Sequence, residues 1–150
     1  MSTLTVERDV VELLTVTISD EYFAIDVGAI REIRRWSSVT PLPGAAASVL
    51  GVMNLRGAVV PAVSLATVLG LKTKTPDERS VVIVAFDEGR PTGFLVDEVA
   101  DIITVPTSGI QKTVVAGTVK VDSIISGIVE YKSHMLKVLN ISKAVASNDA

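Results

Sequence analysis

Leu50-Gly51-Val52-Met53-Asn54-Leu55-Arg56-Gly57-Ala58-Val59-Val60-Pro61 decides how this chain is read. Two apolar runs of strand length meet at an Asn-Leu-Arg-Gly corner, and the glycine after Arg56 can take the positive φ that a tight reversal needs. The stretch therefore predicts a β-hairpin, Gly51–Leu55 and Ala58–Val63, with one guanidinium among residues that would otherwise be buried. Immediately downstream, Ser64 has the chemistry of a helix N-cap, and a short helix over Leu65–Leu69 is expected to stop at Gly70.

The same grammar extends outward. Short apolar runs bounded by turn residues argue for β structure. Val11–Ile18 and Tyr22–Asp26 flank a turn at Ser19-Asp20-Glu21, and Ile30–Trp36 is a third strand. Pro41-Leu42-Pro43-Gly44 breaks the pattern, and Ala45–Val49 has room for one helical turn. Leu71 to Arg79 is a polar connector. Beyond it, Ser80–Phe86 and Thr92–Asp97 flank a turn at 87–90, and Val99–Val105 extends the second of them. Pro106–Ser123 forms the longest loop. Ile125–Tyr131 and Met135–Leu139 make a last hairpin around Lys132-Ser133-His134, followed by a helix from Ile141 and a frayed tail at 147–150.

The hairpin recurs. Gly51–Gly57 lies without gaps over Gly127–Ser133, Val59-Val60 over Met135-Leu136, and Ser64-Leu65 over Asn140-Ile141, with an N-cap residue in both copies. Ala24-Ile25-Asp26 similarly echoes Leu95-Val96-Asp97. Two copies of one supersecondary plan imply two small β-barrels with a groove between them. We expect a single domain over 1–150 with interleaved lobes, one from 11–26 plus 80–139 and the other from 27–79, and flexible tails.

Composition excludes several functions. With 150 residues the chain can bury a sizeable core. Hydrophobic residues make up 48% and the mean hydropathy is +0.48. Yet the longest clear apolar run, Val81–Phe86, is far short of the ~18 residues of a membrane span. The first nine residues lack the basic and apolar regions of a signal peptide, and cysteine is absent. A cytoplasmic protein with no direct membrane insertion is expected. Fourteen basic and 17 acidic residues give a net charge of −3, without the clustered cations that nucleic acid requires. The one dense group, Arg31, Arg34 and Arg35, reads as a solvated face.

The catalytic inventory is thin. His134 is the single histidine and falls at an expected turn tip. Asp97, Glu98 and Asp101 could form a carboxylate pair or a magnesium site, since alternation would put Asp97 and Asp101 on one face of a strand, although structural edge acids are commoner. No phosphate-cradling glycine loop, multi-imidazole metal site or cofactor site is visible. A hydrolytic or small-molecule-binding barrel using His134 and these acids is the alternative to a recognition protein. Ile30, Ile33, Val81, Ile102 and Val114 lie near strand ends, where each is either core or contact surface. Glu32 is either a solvated or an interface charge. Arg56 is the strongest recognition residue, because its fork binds carboxylates or carbonyls bidentately. The competing reading has it tie the hairpin to a neighbouring acid.

These residues resemble the CheW family, the coupling proteins of bacterial chemosensory arrays, over approximately Val11 to Val145. The resemblance rests on Tyr22–Asp26, Ile30-Arg31-Glu32-Ile33, Gly51–Gly57 with Val60-Pro61 and Leu65, and Phe94–Val99 followed by Asp101-Ile102-Ile103. It implies a mainly β fold, two five-stranded barrels of the Src-homology-3 type with short helices. It also implies a non-enzymatic adaptor between the chemoreceptor tip and the histidine kinase CheA, working at membrane-associated arrays. By position it implies a receptor-facing groove containing Ile30, Glu32, Arg56, Val81 and Ile102. Departures from the family pattern are Ala46-Ala47, Ser64 in place of aspartate, Ala66 in place of arginine, and a later loop without prolines at 111–117. A fusion to a receiver domain, as in CheV-type proteins, would need more chain than the 150 residues present.

Overall fold

The computed structural model describes residues 9–87, 89–112 and 124–144. Residues 1–8, Glu88, residues 113–123 with Val114 and most of the expected long loop, and residues 145–150 with the expected tail lie outside the described residues. The described residues hold ten strands: β1 Val10–Ile18, β2 Glu21–Asp26, β3 Glu32–Arg35, β4 Val49–Leu55, β5 Ala58–Ser64, β6 Val81–Asp87, β7 Arg90–Val96, β8 Glu98–Pro106, β9 Ile125–Tyr131 and β10 His134–Leu139. One short helix, α1 Leu65–Val68, follows β5, and residues 141–144 are helical after β10. Ser64 caps α1 as its sequence predicts, its side chain accepting from the Thr67 N–H. Gly70 leaves the helix at φ 73.

The strands form two five-stranded sheets, β8-β1-β2-β10-β9 and β3-β6-β7-β5-β4. These are the two SH3-like barrels. Each surrounds its own apolar cluster. Leu13, Ala24, Ile103, Val105, Val129, Leu136 and Val138 fill the first. Met53, Leu55, Val60, Ala62, Val82, Val84 and Leu95 fill the second, with Trp36, Val39 and Leu50 packed at its margin. A third cluster draws on both barrels: Leu14, Val16, Ile18, Phe23 and Ile25 from one, and Val63, Leu65, Ile83, Ala85, Phe94 and Val96 from the other. This explains the unbroken apolar runs. Side chains alternate along a strand, so Leu13 enters the first barrel while Leu14 and Val16 enter the shared core. Likewise Val82 and Val84 enter the second barrel while Ile83 and Ala85 enter the shared core.

The internal repeat is structural. Gly51 pairs with Ala62 just after a bulge in the β4–β5 ladder, and Gly127 pairs with Val138 beside a bulge in β9–β10. The Ser64 N–H donates to the Ser48 carbonyl at 2.8 Å, as Asn140 does to Ile124 at 2.7 Å. Isolated bridges Thr40–Val52 and Gln111–Ile128 complete the correspondence. The plan is circularly permuted between the barrels. The second is one continuous segment from β3 to β7, whereas in the first the β1–β2 hairpin leads the chain and pairs in parallel with β10. β7 makes the equivalent parallel pairing with β5.

Four expectations need correction. Residues 81–96 belong with the 27–79 lobe, because β6 pairs with β3 and β7 with β5. Residues 98–106 do not extend the strand before them; the chain crosses at Asp97 and β8 joins the other sheet, against β1. The echo of β2 in β7 is shifted by two residues: Ala24 lies beside Val138 where Gly93 lies beside Ala62, so Ala24 corresponds to Gly93. A shift of two keeps the same face inward, so the sequence match looked sound. Finally, residues 45–48 form turns and no helix, with Ala45 N–H donating to Leu42 and Val49 N–H to Ala46, and Val49 already begins β4.

Gly51 is a steric requirement. A Cβ there would collide with the Thr40 carbonyl of the bridge that joins the chain after β3 to β4. Gly57, at φ 86, has open space around it and needs glycine for backbone conformation alone. Gly51→Ala should therefore cost about 2–3 kcal/mol in urea unfolding and Gly57→Ala only about 1–2 kcal/mol. The reverse order would show that the bridge does not constrain β4.

Candidate functional site

The β4–β5 turn is built by its own four residues. Leu55 is buried in the second barrel and pairs across the ladder with Ala58. That leaves Arg56 and Gly57 as the two central residues, both at positive φ, 52° and 86°. This is the reversal whose twist suits a two-residue hairpin. The Asn54 side-chain carbonyl accepts the Gly57 N–H at 2.9 Å and holds the turn shut. Arg56 is thus presented at the tip by backbone geometry and stands 74% exposed at the side chain.

Its guanidinium meets Glu32 on β3. Arg56 Nη1 lies 3.1 Å from Glu32 Oε1, and Nη2 donates to Oε2 at 3.1 Å. This bidentate pair joins the two edge strands of the second sheet's order, alongside the Thr40–Val52 bridge. Arg34, two residues on and so on the same face of β3, donates from Nη1 to the same Oε2 at 3.1 Å. The corner therefore holds two guanidinium groups and one carboxylate. Exposed ion pairs contribute only about 0–1 kcal/mol to folding. Such a corner is better suited to recognising an acid or a row of carbonyls than to holding the fold together. Both sequence readings of Arg56 meet here, since it does tie the hairpin to an acid and remains largely in solvent.

The remaining expected site residues distribute unevenly. Ile30 leads into β3 and packs, partly buried, on the shared core. Val81 does the same and pairs opposite Arg35 in the β3–β6 ladder. Ile102 belongs to the other barrel, on β8 opposite Leu14, and is 55% exposed. Neither a hydrogen bond nor a core cluster joins it to the other four among the described residues. Ile33 is also exposed, at 46%, and occupies the position on β3 that Ile102 occupies on β8. Arg34 is obscured in the sequence by its place in a group of three arginines, Arg31, Arg34 and Arg35. The available signal was its two-residue spacing from Glu32 on a strand. The other two behave differently: Arg31 stacks its guanidinium over the Phe86 ring at 4.9 Å, and Arg35 is exposed.

The acid and histidine constellation assembles only in part, since Asp101 and His134 line one surface cavity while Asp97 and Glu98 line another. A bulge lets Thr15 face Asp101 and Val16 face Val99, and this extra residue breaks the alternation that would have aligned Asp97 with Asp101. Asp97 Oδ2 accepts the Ser19 N–H at 2.7 Å, and Asp101 Oδ1 accepts the Ile102 N–H at 2.8 Å. His134 is the first residue of β10 rather than a turn tip, and its ring lies 5.7 Å from that of Tyr22. Beside the connector, Lys74 reaches Asp20 at 2.6 Å, and this hydrogen bond raises the Lys74 pKa above its ordinary value. No helix among the described residues is long and apolar enough to cross a membrane.

Comparison with known proteins places this architecture. The CheW-like domain profile matches residues 12–149. The chain is 48% identical over 102 residues to the chemotaxis protein CheW of Rhizobium meliloti, covering 68% of this chain and 66% of that protein. It is 31% identical over 134 residues to CheW of Thermotoga maritima, covering 89% and 87% respectively. The crystal structure of the scaffolding protein TtCheW from Thermoanaerobacter tengcongensis superposes with a TM-score of 0.81 at 21% identity, over 87% of this chain and 84% of that one. The continuous family match and the two permuted barrels agree, and the chain belongs to the CheW family.

Proposed function

We propose that this chain couples chemoreceptors to the histidine kinase CheA, with the second barrel's charged corner facing the receptor. The carrying observation is the Arg56–Glu32 pair, a bidentate contact whose arginine is held at a turn tip and stays 74% exposed. A receptor tip is a helical hairpin, and a helix binds in a groove through apolar residues flanked by a few fixed charges. In this reading Ile30, Val81 and Ile102 supply apolar contact, while Glu32 and Arg56 fix orientation. The kinase's regulatory domain engages other barrel surfaces. The adaptor carries out no covalent step; receptor state biases the kinase through coupled binding free energies. Its work takes place in the cytoplasm, at membrane-associated arrays.

Arg56→Ala should lower co-sedimentation with receptor-containing membranes and CheA by about 10-fold, the scale of a central interface residue. Its melting temperature should stay within about 3 °C of the unaltered chain, since exposed pairs add little to folding. A large fall in melting temperature with binding per folded molecule intact would instead make Arg56 a structural residue. Glu32→Lys gathers three cations at one corner, and receptor pull-down should fall further than circular dichroism changes. Normal receptor binding by that variant would remove Glu32 from the site. The rival hydrolytic reading is tested by His134→Ala, which should leave receptor and kinase coupling unchanged.

A further inference from the structure

The internal repeat supplies a control for every position of the charged corner. On β3, Arg34 pairs opposite Val82; on β8, Ile103 pairs opposite Leu13. Val82 and Leu13 occupy matching places in their hairpins, facing Leu95 and Asp26. Arg34 and Ile103 are therefore structural counterparts. Ile103 is a core residue of the first barrel, 3% exposed. The plan thus accommodates an isoleucine here, and packing alone does not call for an arginine.

Glu32 explains it. Its Oε2 accepts from both Arg34 Nη1 and Arg56 Nη2, each at 3.1 Å, while Oε1 faces Arg56 Nη1. The Glu32 side chain is only 19% exposed. Were Arg56 to leave, a carboxylate largely withdrawn from water would lose its counter-ion, which is costly. Arg34 removes that obstacle by keeping one charged hydrogen bond on Glu32. It also gives the corner a formal surplus of one positive charge, which favours an incoming acid.

We propose that Arg34 is a positioning residue that lets Arg56 exchange Glu32 for an acidic side chain of the docked partner. The proposal rests on the reading of Arg56 as a receptor-recognition residue. Arg34 itself need not touch the partner. Its effect is to keep Glu32 compensated in both states, so that differential contact, and not a stranded carboxylate, sets the equilibrium.

The test uses the full chain and a soluble receptor cytoplasmic fragment, titrated calorimetrically at physiological ionic strength. Arg34→Ile installs the residue of the first barrel, so it should fold with an unchanged or higher melting temperature. Its affinity for the fragment should fall at least fivefold. In a Glu32→Gln background the same substitution should change affinity less than twofold, because no carboxylate remains to be compensated. An equal loss in both backgrounds would mean that Arg34 contacts the partner directly, and unchanged affinity would remove its role; either overturns the proposal. A partner-free measurement separates the two levels. Rotation of the Arg56 guanidinium, followed by nitrogen NMR, should slow at least twofold in Arg34→Ile. Unchanged rotation with fragment binding intact overturns the role of Arg34 alone. Absent binding by the unaltered chain overturns the recognition reading, and with it this exchange.

Discussion

Everything in this molecule depends on the apolar core shared by the two barrels. Phe23 and Phe94, both fully buried, come from β2 and β7, the strands that hold matching places in the two sheets. Burying such a side chain contributes roughly 1.5–3 kcal/mol each. Because β1 and β6 give one face to their own barrel and the other to this core, neither barrel presents a complete exterior alone. The relation between the barrels is therefore set by packing, which is the property a scaffold needs if it is to hold two partners in a fixed geometry.

Charge is placed on that frame by backbone geometry. The shared plan puts a turn residue at positive φ in both copies, Arg56 at 52° and Lys132 at 48°. A basic residue at this tip is thus compatible with the fold in either barrel. What differs is the surroundings. In the second barrel Glu32 and Arg34 stand on the adjoining edge strand and engage the tip. In the first barrel the counterparts are Asp101, which turns to its neighbour's N–H, and the buried Ile103, while Lys132 lies over the Tyr131 ring at 5.4 Å. The same plan thus carries a three-charge cluster at one corner and an aromatic contact at the other.

Much of this was legible in the sequence. The Asn-Leu-Arg-Gly corner specifies its own turn, so the hairpin, the Ser64 cap and the repeat of both were readable locally. Partition into barrels was not, because Thr92–Asp97 and Val99–Val105 are separated by one residue and both carry apolar strand residues, while Asp97-Glu98 alone marks the crossing. Period-two reasoning also failed at the β8 bulge, where one extra residue reverses which side chains share a face. Glu32 and Arg56 were named on separate grounds, and their direct contact arises from the approach of edge strands distant in sequence. Arg34 was legible only by its face, and its place in a group with Arg31 and Arg35 obscured it.

The most direct measurement is side-chain NMR of the Arg56 and Lys132 hairpins while a receptor cytoplasmic fragment is added. The Arg56 guanidinium and Glu32 carboxyl signals should shift in proportion to occupancy while Lys132 and Ser133 stay in place. Shifts confined to the Lys132 hairpin, with Arg56 and Glu32 unmoved at saturation, would contradict receptor recognition by Arg56.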